Sequence, residues 1–309
     1  MSDLTDLMTP WCVHTVATLR IAEHLEAGTD TIAPLAEAAG CDERALHNVL
    51  GHLVTKGVFG EPSPGRFALT DAGRALLGAP FLDLDGIGGR FAGAWETIPE
   101  YVRTGRPAYA GKFGRPFWDD LAAHEDLARE FDDLIGPGGH PTPDPDFALS
   151  MDEIATVVDV GGGIGTLLTE VVRAFPHVRA TLVDLAGTVA RAQGPFETVG
   201  QSFFDPLPAG ADVYLLKSVL ADWPDREATA ILERCADAAR PSGRVVLLNG
   251  VSPDEPGGPY PDLLMLVLVG GKQRSLSEFR ELAHAAGLAV HAAERQASGR
   301  FIVECLATG

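Results

Sequence analysis

Apolar residues recur along this chain with two different periods, and the change of period divides it. Residues 9–27 carry apolar positions at helical spacing, and residues 31–54 predict two short helices joined by a turn at 40–42. Asp42 is placed to cap the second of these, with Leu46, Val49, Leu50 and Leu53 along one face. Residues 58–69 predict two short strands around a Pro/Gly turn, and residues 70–77 begin another helix. Helices followed by a two-stranded wing make a winged-helix pattern. Residues 83–135 are mostly helical in pattern and hold Trp95, Tyr101, Tyr109, Phe113, Phe117 and Trp118. Such aromatics serve packing, and some can wall a pocket for a flat apolar ligand. The breakers in 136–145 predict a loop. That loop sets the expected domain boundary, 1–145 and 146–309, and as a lid it would carry His140 at its tip.

From Ile154 onward strands and helices alternate. Strands are expected at 154–160, 179–184, 197–203, 212–216, 243–249, 288–293 and 300–305, with helices at 164–174, 186–192, 225–239 and 276–286. This is the pattern of an α/β, doubly wound, Rossmann-like sheet. Its first strand runs into Val-Val-Asp-Val-Gly-Gly-Gly-Ile-Gly at 157–165, so Asp159 is followed by Gly161, Gly163 and Gly165 at every second position. The second strand ends in Asp184. Glycine lets a backbone approach a ligand where a Cβ would obstruct it. A dinucleotide site needs Gly-x-Gly-x-x-Gly with a pyrophosphate at the helix N-terminus. Asp-x-Gly-x-Gly-x-Gly is a different spacing, and it resembles the first motif of S-adenosylmethionine-dependent methyltransferases.

Bulk properties narrow the partners. The 309 residues carry a net charge of −19, which argues against nucleic acid. The winged-helix region agrees, because acids outnumber bases there and the helix that would enter a groove begins Asp42-Glu43. Four scattered cysteines without Cys-x-x-Cys spacing predict no disulfide framework and no zinc site, and the histidines share no ligand spacing. The start of the chain lacks the basic and apolar regions of a signal peptide, and no apolar run approaches bilayer length. A cytoplasmic protein with no membrane partner and no metal is expected.

The chain as a whole resembles the small-molecule O-methyltransferases of the plant caffeate and bacterial polyketide or anthracycline-tailoring type. The likeness rests on Thr9-Pro-Trp11 with 17–20, on the winged helix and on Gly114–Trp118. It continues through 159–165, 182–185, 203–208, 216–220, Asp222-Trp223, 240–244 and 264–272. It implies a helical winged-helix dimerisation domain that exchanges helices across a homodimer and does not touch DNA. It also implies S-adenosyl-L-methionine as cofactor, with Asp159, Gly161 and Gly163 at its methionine end. Asp184 would take the ribose hydroxyls, Phe203 would stack on adenine, and Lys217 and Trp223 would border the ribose and sulfonium. Ser202 stands where the family usually has the acid that reads the adenine amino group, and a hydroxyl can still accept one hydrogen bond. Ala221, Asp222 and Met265 would face an aromatic or polyketide-like acceptor.

The chemistry departs from the family pattern. The family's general base is a histidine just before Asp-Trp, where this chain has Ala221. The two carboxylates that hold that histidine correspond to Asn249 and Gln273. Base catalysis contributes roughly 10²–10⁴-fold, and positioning about 7–11 kcal/mol, so transfer to an acidic phenol or enol by proximity is feasible. His140 is the substitute base to watch. Two readings follow: an O-methyltransferase acting by proximity, or an enzyme of the same fold that binds S-adenosylmethionine and catalyses hydroxylation, decarboxylation or rearrangement. A regulator is disfavoured on charge and a nicotinamide dehydrogenase on glycine spacing.

Overall fold

The structure, a computed structural model, describes residues 5–135, 153–254, 263–296 and 299–308. It divides into two compact units, 1–93 and 94–309. The expected boundary at 145/146 falls outside the described residues, as does His140. The division between Gly93 and Ala94 groups the helices of 94–135 with the second unit.

The first unit holds α1 (Met8–Thr18), α2 (Ile21–Glu26), α3 (Ile32–Ala38), α4 (Glu43–Thr55), β1 (Phe59–Ser63), β2 (Arg66–Leu69) and α5 (Asp71–Arg74). The two strands pair antiparallel as the wing. Asp42 caps α4 as expected, its carboxylate accepting from the Ala45 N–H at 2.8 Å. The single helix expected over 9–27 is two helices. The chain breaks at Arg20, whose φ of 54° is left-handed. Val16 and Ile21 are five residues apart, which a continuous helix would place on different faces. The break turns both into the core shared with Leu35, Leu50 and Phe67.

α6 (Ile87–Trp95) crosses the division and is followed by α7 (Ile98–Thr104), α8 (Tyr109–Phe113), α9 (Phe117–Ala123) and α10 (Glu125–Ile135). The alternating region then gives β3 (Thr156–Val160), α11 (Thr166–Ala174), β4 (Arg179–Asp184), α12 (Ala186–Val189), β5 (Glu197–Gly200), β6 (Val213–Lys217) and α13 (Asp225–Ala239). The chain continues through β7 (Arg244–Leu248), β8 (Val251–Ser252), α14 (Leu263–Val269), β9 (Arg274–Ser275), α15 (Leu276–Ala285), β10 (Leu288–Arg295) and β11 (Phe301–Ala307). Seven strands form one sheet in the order β10-β11-β7-β6-β3-β4-β5. β7, β6, β3, β4 and β5 run parallel, and β11 lies antiparallel to both of its neighbours. This is the expected doubly wound α/β domain.

Several elements are a residue or two shorter than their sequence pattern, and β5 and α12 fall three residues short. β5 ends at Gly200, so Phe203 lies in a turn, because the Ser202 hydroxyl accepts from Phe204 N–H and its carbonyl from Asp205 N–H. Those local bonds compete with a strand ladder. α12 ends at Val189, and the following residues tighten into i→i+3 bonds from Arg191 and Ala192.

Side chains alternate across the sheet with the strand period of two. Val158, Val160, Tyr214, Leu216, Val245 and Leu247 meet buried residues of α13 and α15 on one face. Val157, Leu182, Leu215, Val246 and Leu248 meet Leu167, Leu168 and Val171 of α11 on the other. Strand order reverses between β3 and β6, and ligands in open α/β sheets bind at the carboxyl ends of the strands at such a point.

Asp212, just before β6, pins the start of β3. Its Oδ2 accepts from Ala155 N–H at 2.9 Å, Thr156 N–H at 2.8 Å and the Thr156 hydroxyl at 2.9 Å. Burial pushes this carboxyl up, but those bonds and the Arg179 charge prevail and hold it below the usual value. Asp212→Ala should therefore cost about 1–3 kcal/mol in urea unfolding at neutral pH, because donors lose their acceptor. A depressed folded pKa gives stability that is present above the unfolded value and lost as pH falls through the folded one. The gap between variant and parent should thus close below about pH 4.

Candidate active site

The glycine turn leaves β3 at the switch point. Gly161 N–H donates to Val183 O at 2.8 Å, which ties the turn to β4. Gly163 has a left-handed φ of 62° with open space where its Cβ would be, and its N–H donates to Asp184 Oδ2 at 2.8 Å. Asp184 Oδ1 accepts from Leu185 N–H at 2.7 Å. Each Asp184 oxygen thus takes one backbone donor. A carboxylate offers about four lone-pair positions, so acceptor capacity remains for a ligand. Burial raises the Asp184 carboxyl, and the two N–H groups oppose that shift.

Asp159 lies directly beneath this turn. It shares a face of β3 with Val157, the face that packs against α11, so its carboxylate occupies an apolar position. It is fully buried, and neither oxygen has a hydrogen-bond partner. A Cβ on Gly162 would collide with Asp159 Oδ2, so only glycine fits above it. Burial pushes its carboxyl up to about 7, the Asp184 charge adds to the rise, and Lys217 opposes it. Lys217 ends β6 and is half-buried. Burial lowers its ammonium, Asp159 pulls it back up, and Arg300 lowers it further. Two raised carboxyls around a glycine cradle form a site for a ligand that brings positive charge and hydrogen-bond donors.

An aromatic wall stands beside the cradle. A Cβ on Gly161 would lie 3.3 Å from the Phe203 ring. Phe203 meets Trp223 edge-on at 5.8 Å between centroids, and Phe204 meets it at 5.1 Å. Trp118, on α9, stacks nearly parallel to Trp223 at 6.2 Å. Of the aromatics considered as pocket walls, Trp118 reaches the site's edge. Tyr109 and Phe117 are core residues, and Tyr109 donates its hydroxyl to the buried Asp120 at 2.6 Å. Ser202 is half-buried in the turn before Phe203 and uses its hydroxyl on Phe204 N–H at 3.2 Å.

Past the ends of β6 and β7 the structure brings Ser218 beside Asn249, and Gly250 and Gly271 against Ala221. Asn249 follows β7 with a left-handed φ of 73°, and Ser218 follows β6 with a φ of 58°. The Asn249 amide Nδ2 donates to Ser218 Oγ at 3.4 Å. Gly250 lies against Ala221, 3.6 Å from its Cβ to the position of an added Cβ, and Gly271 packs on the Ala221 carbonyl. Ala221 and Asp222 form a short 3-10 turn and are half-buried. Met265 is half-buried on α14, which packs against that turn and against α8 and α9. Gln273 is exposed and shares no hydrogen bond with Asn249 or Ala221 among the described residues. Two residues were missed in the sequence. Ser218 gives no local signal, since its left-handed backbone is set by the strand end. Arg274 ends the Gly-Gly-Lys-Gln-Arg run and is fully buried. Among the described residues no group of three or more His, Cys, Asp or Glu is arranged to hold a metal, and no helix is long and apolar enough to cross a membrane.

Comparison with known proteins agrees with this geometry. Residues 95–289 match the model of the O-methyltransferase domain, and residues 2–79 that of the O-methyltransferase dimerisation domain. The chain is 41% identical over 308 residues to 2,7-dihydroxy-5-methyl-1-naphthoate 7-O-methyltransferase of Streptomyces carzinostaticus, covering 94% of this chain and 92% of that one. It is 38% identical to aclacinomycin 10-hydroxylase RdmB of Streptomyces purpurascens, covering 96% and 85%. Its fold superposes with a TM-score of 0.86 on the O-methyltransferase NcsB1, solved with S-adenosylmethionine and 2-hydroxy-5-methyl naphthoic acid, at 39% identity with 98% and 97% covered.

The buried acid predicts a trade of stability against binding. A carboxyl raised in the folded state binds a proton there between its unfolded value and about 7, where the unfolded chain has already released it. Stability therefore falls as pH rises across that interval and is lowest, for this group, above it. Without ligand, Asp159→Asn should have the higher urea midpoint at about pH 8 and lose that advantage toward about pH 4. A midpoint difference independent of pH would contradict the assignment.

Proposed function

Because the chain belongs to the S-adenosylmethionine-dependent O-methyltransferase family, we propose that it methylates a hydroxyl of an aromatic, polyketide-like acceptor by holding that hydroxyl in place, with no titrating base at position 221. The observation that carries this reading is the cradle itself: an orphaned buried Asp159, an open left-handed Gly163 and an Asp184 with acceptor capacity left over. These residues suit the cofactor's ammonium and ribose groups. When bound, S-adenosylmethionine supplies an electrophilic methyl group. Asp159, Gly161 and Gly163 would hold its methionine end, Asp184 its ribose and Phe203 its adenine, with Ser202, Lys217 and Trp223 at the borders.

The three positions where the family carries its base and that base's carboxylates are neutral in this chain. Ala221 cannot take a proton, and Asn249 and Gln273 stand where carboxylates would otherwise hold a base. The Ser218 hydroxyl and the Asn249 amide are donors beside Ala221. Donors aimed at an oxygen favour its ionised form. An acidic phenol or enol would thus enter already ionised, releasing its proton to solvent, with Asp222 and Met265 bounding the acceptor. His140 is the alternative proton acceptor. Forgoing a base sacrifices roughly 10²–10⁴-fold in rate, which is smaller than the contribution available from positioning. The match of 2–79 to a dimerisation domain supports a homodimer built on the N-terminal region. A second reading, S-adenosylmethionine binding with a non-methylating reaction, draws support from the 38% identity to a hydroxylase.

The test is a labelled-methyl assay by mass spectrometry against hydroxynaphthoates and phenols of graded acidity. Transfer should occur, its pH limb should follow the acidity of each acceptor, and His140→Ala should retain most of the rate. Loss of a limb near about pH 6.5 in His140→Ala would make that histidine the base. Cofactor binding without labelled product from any acceptor would favour the second reading.

A further inference from the structure

Arg274 is fully buried, 1% exposed, and has no place in the chemistry described so far. A guanidinium is costly to bury unless its donors are matched. Here four bonds match it. Nη1 donates to Leu220 O at 2.8 Å and to Lys272 O at 3.1 Å, Nη2 donates to Trp223 O at 2.8 Å, and Nε donates to Asp225 Oδ1 at 2.9 Å. Three of the four partners are backbone carbonyls, while Asp225, which Nη2 also approaches at 2.9 Å, answers the charge. The bonds to Leu220 O and Trp223 O bracket Ala221 and Asp222 within one short turn. Within that turn the Asp222 N–H reaches Val219 O and the Trp223 N–H reaches Leu220 O, the latter at 3.3 Å. The third bond ties the turn to the segment 270–272, which lies against Ala221. The fourth ties it to the start of α13, where Lys272 also reaches Asp225 at 3.4 Å.

We propose that Arg274 is a positioning residue: its guanidinium fixes the 220–223 turn so that Trp223 stands edge-on to Phe203 and forms the cofactor-side wall, while Ala221 is held against the acceptor side. A planar fork with five donors can hold carbonyls in several directions at once, whereas an ammonium on a flexible stem cannot. Through the turn, Arg274 links the two walls. The inference rests on the reading that Trp223 borders the cofactor.

The experiment is calorimetric titration of the full chain with S-adenosylhomocysteine, well below the unfolding temperature, in the parent, Arg274→Lys, Trp223→Ala and the double variant. Loss of the fork should weaken binding about tenfold in Arg274→Lys, in line with hydrogen bonds to a charged group. The further effect of Arg274→Lys should shrink to within about twofold when Trp223 is already removed, because coupled residues are not additive. Should Arg274→Lys fail to fold, Asp225→Ala, which removes the exposed carboxylate that Arg274 and Lys272 share, must shift binding in the same direction by a smaller factor, and only while Trp223 is present. A variant that melts earlier but binds as tightly as the parent overturns the inference and leaves Arg274 a fold stabiliser. So does full additivity with Trp223→Ala. A parent that does not bind the probe overturns the cofactor reading, and the inference with it.

Discussion

A carboxylate buried without a hydrogen bond is the constraint around which this site is arranged. Asp159 sits where the alternation of β3 calls for an apolar side chain, between the sheet and α11. Among the described residues, Lys217, itself half-buried, is the cation that answers its charge. The glycine above it cannot carry a side chain, and the turn that follows lends Gly163 to Asp184. An unpaired buried acid is costly, and such costs persist where function requires them. The second acid, at the end of the neighbouring strand, raises the first further, so the two carboxyls cannot be understood separately.

Across the sheet from those acids the site changes character. Ala221, Ser218, Asn249 and the glycine backbones beside them carry no ionisable side chain. On the proposed reading, the acids hold the reagent, and the residues around Ala221 shape the space in which it is used. The relatives of this chain include both a methyltransferase and a hydroxylase. One fold can therefore carry different chemistries on sites that differ in a few side chains.

Much of this was legible in the residues, and the parts that were not share a cause. β4 and α13 have the bounds that periodicity predicts, and the Asp42 cap is a local device with a local signal. Asp159 and Asp184 were visible because each ends an apolar run. By contrast, the break at Arg20 arises from the need to bury Val16 and Ile21 together, which no residue type announces. Phe203 leaves the strand because the Ser202 hydroxyl and carbonyl draw the following N–H groups into a turn. The left-handed Ser218 and Asn249 are set by neighbouring strand ends, and the burial of Arg274 by carbonyls about fifty residues away in sequence. Tertiary context decided each of these. Gln273, aligned by its motif, stays exposed, since its neighbour Arg274 is the one turned inward.

The central claim, that a protonatable Asp159 lies beneath a cradle for a positively charged cofactor, is tested most directly by proton linkage. Calorimetric titration with S-adenosylmethionine at about pH 6.5, in buffers of different ionisation enthalpy, counts the protons exchanged on binding. A cation arriving beside the raised carboxyl favours its ionised form, so binding should release protons near neutral pH and none at about pH 9. The release should vanish in Asp159→Asn. Proton uptake, no exchange at about pH 6.5, or a release that survives the substitution would contradict the account.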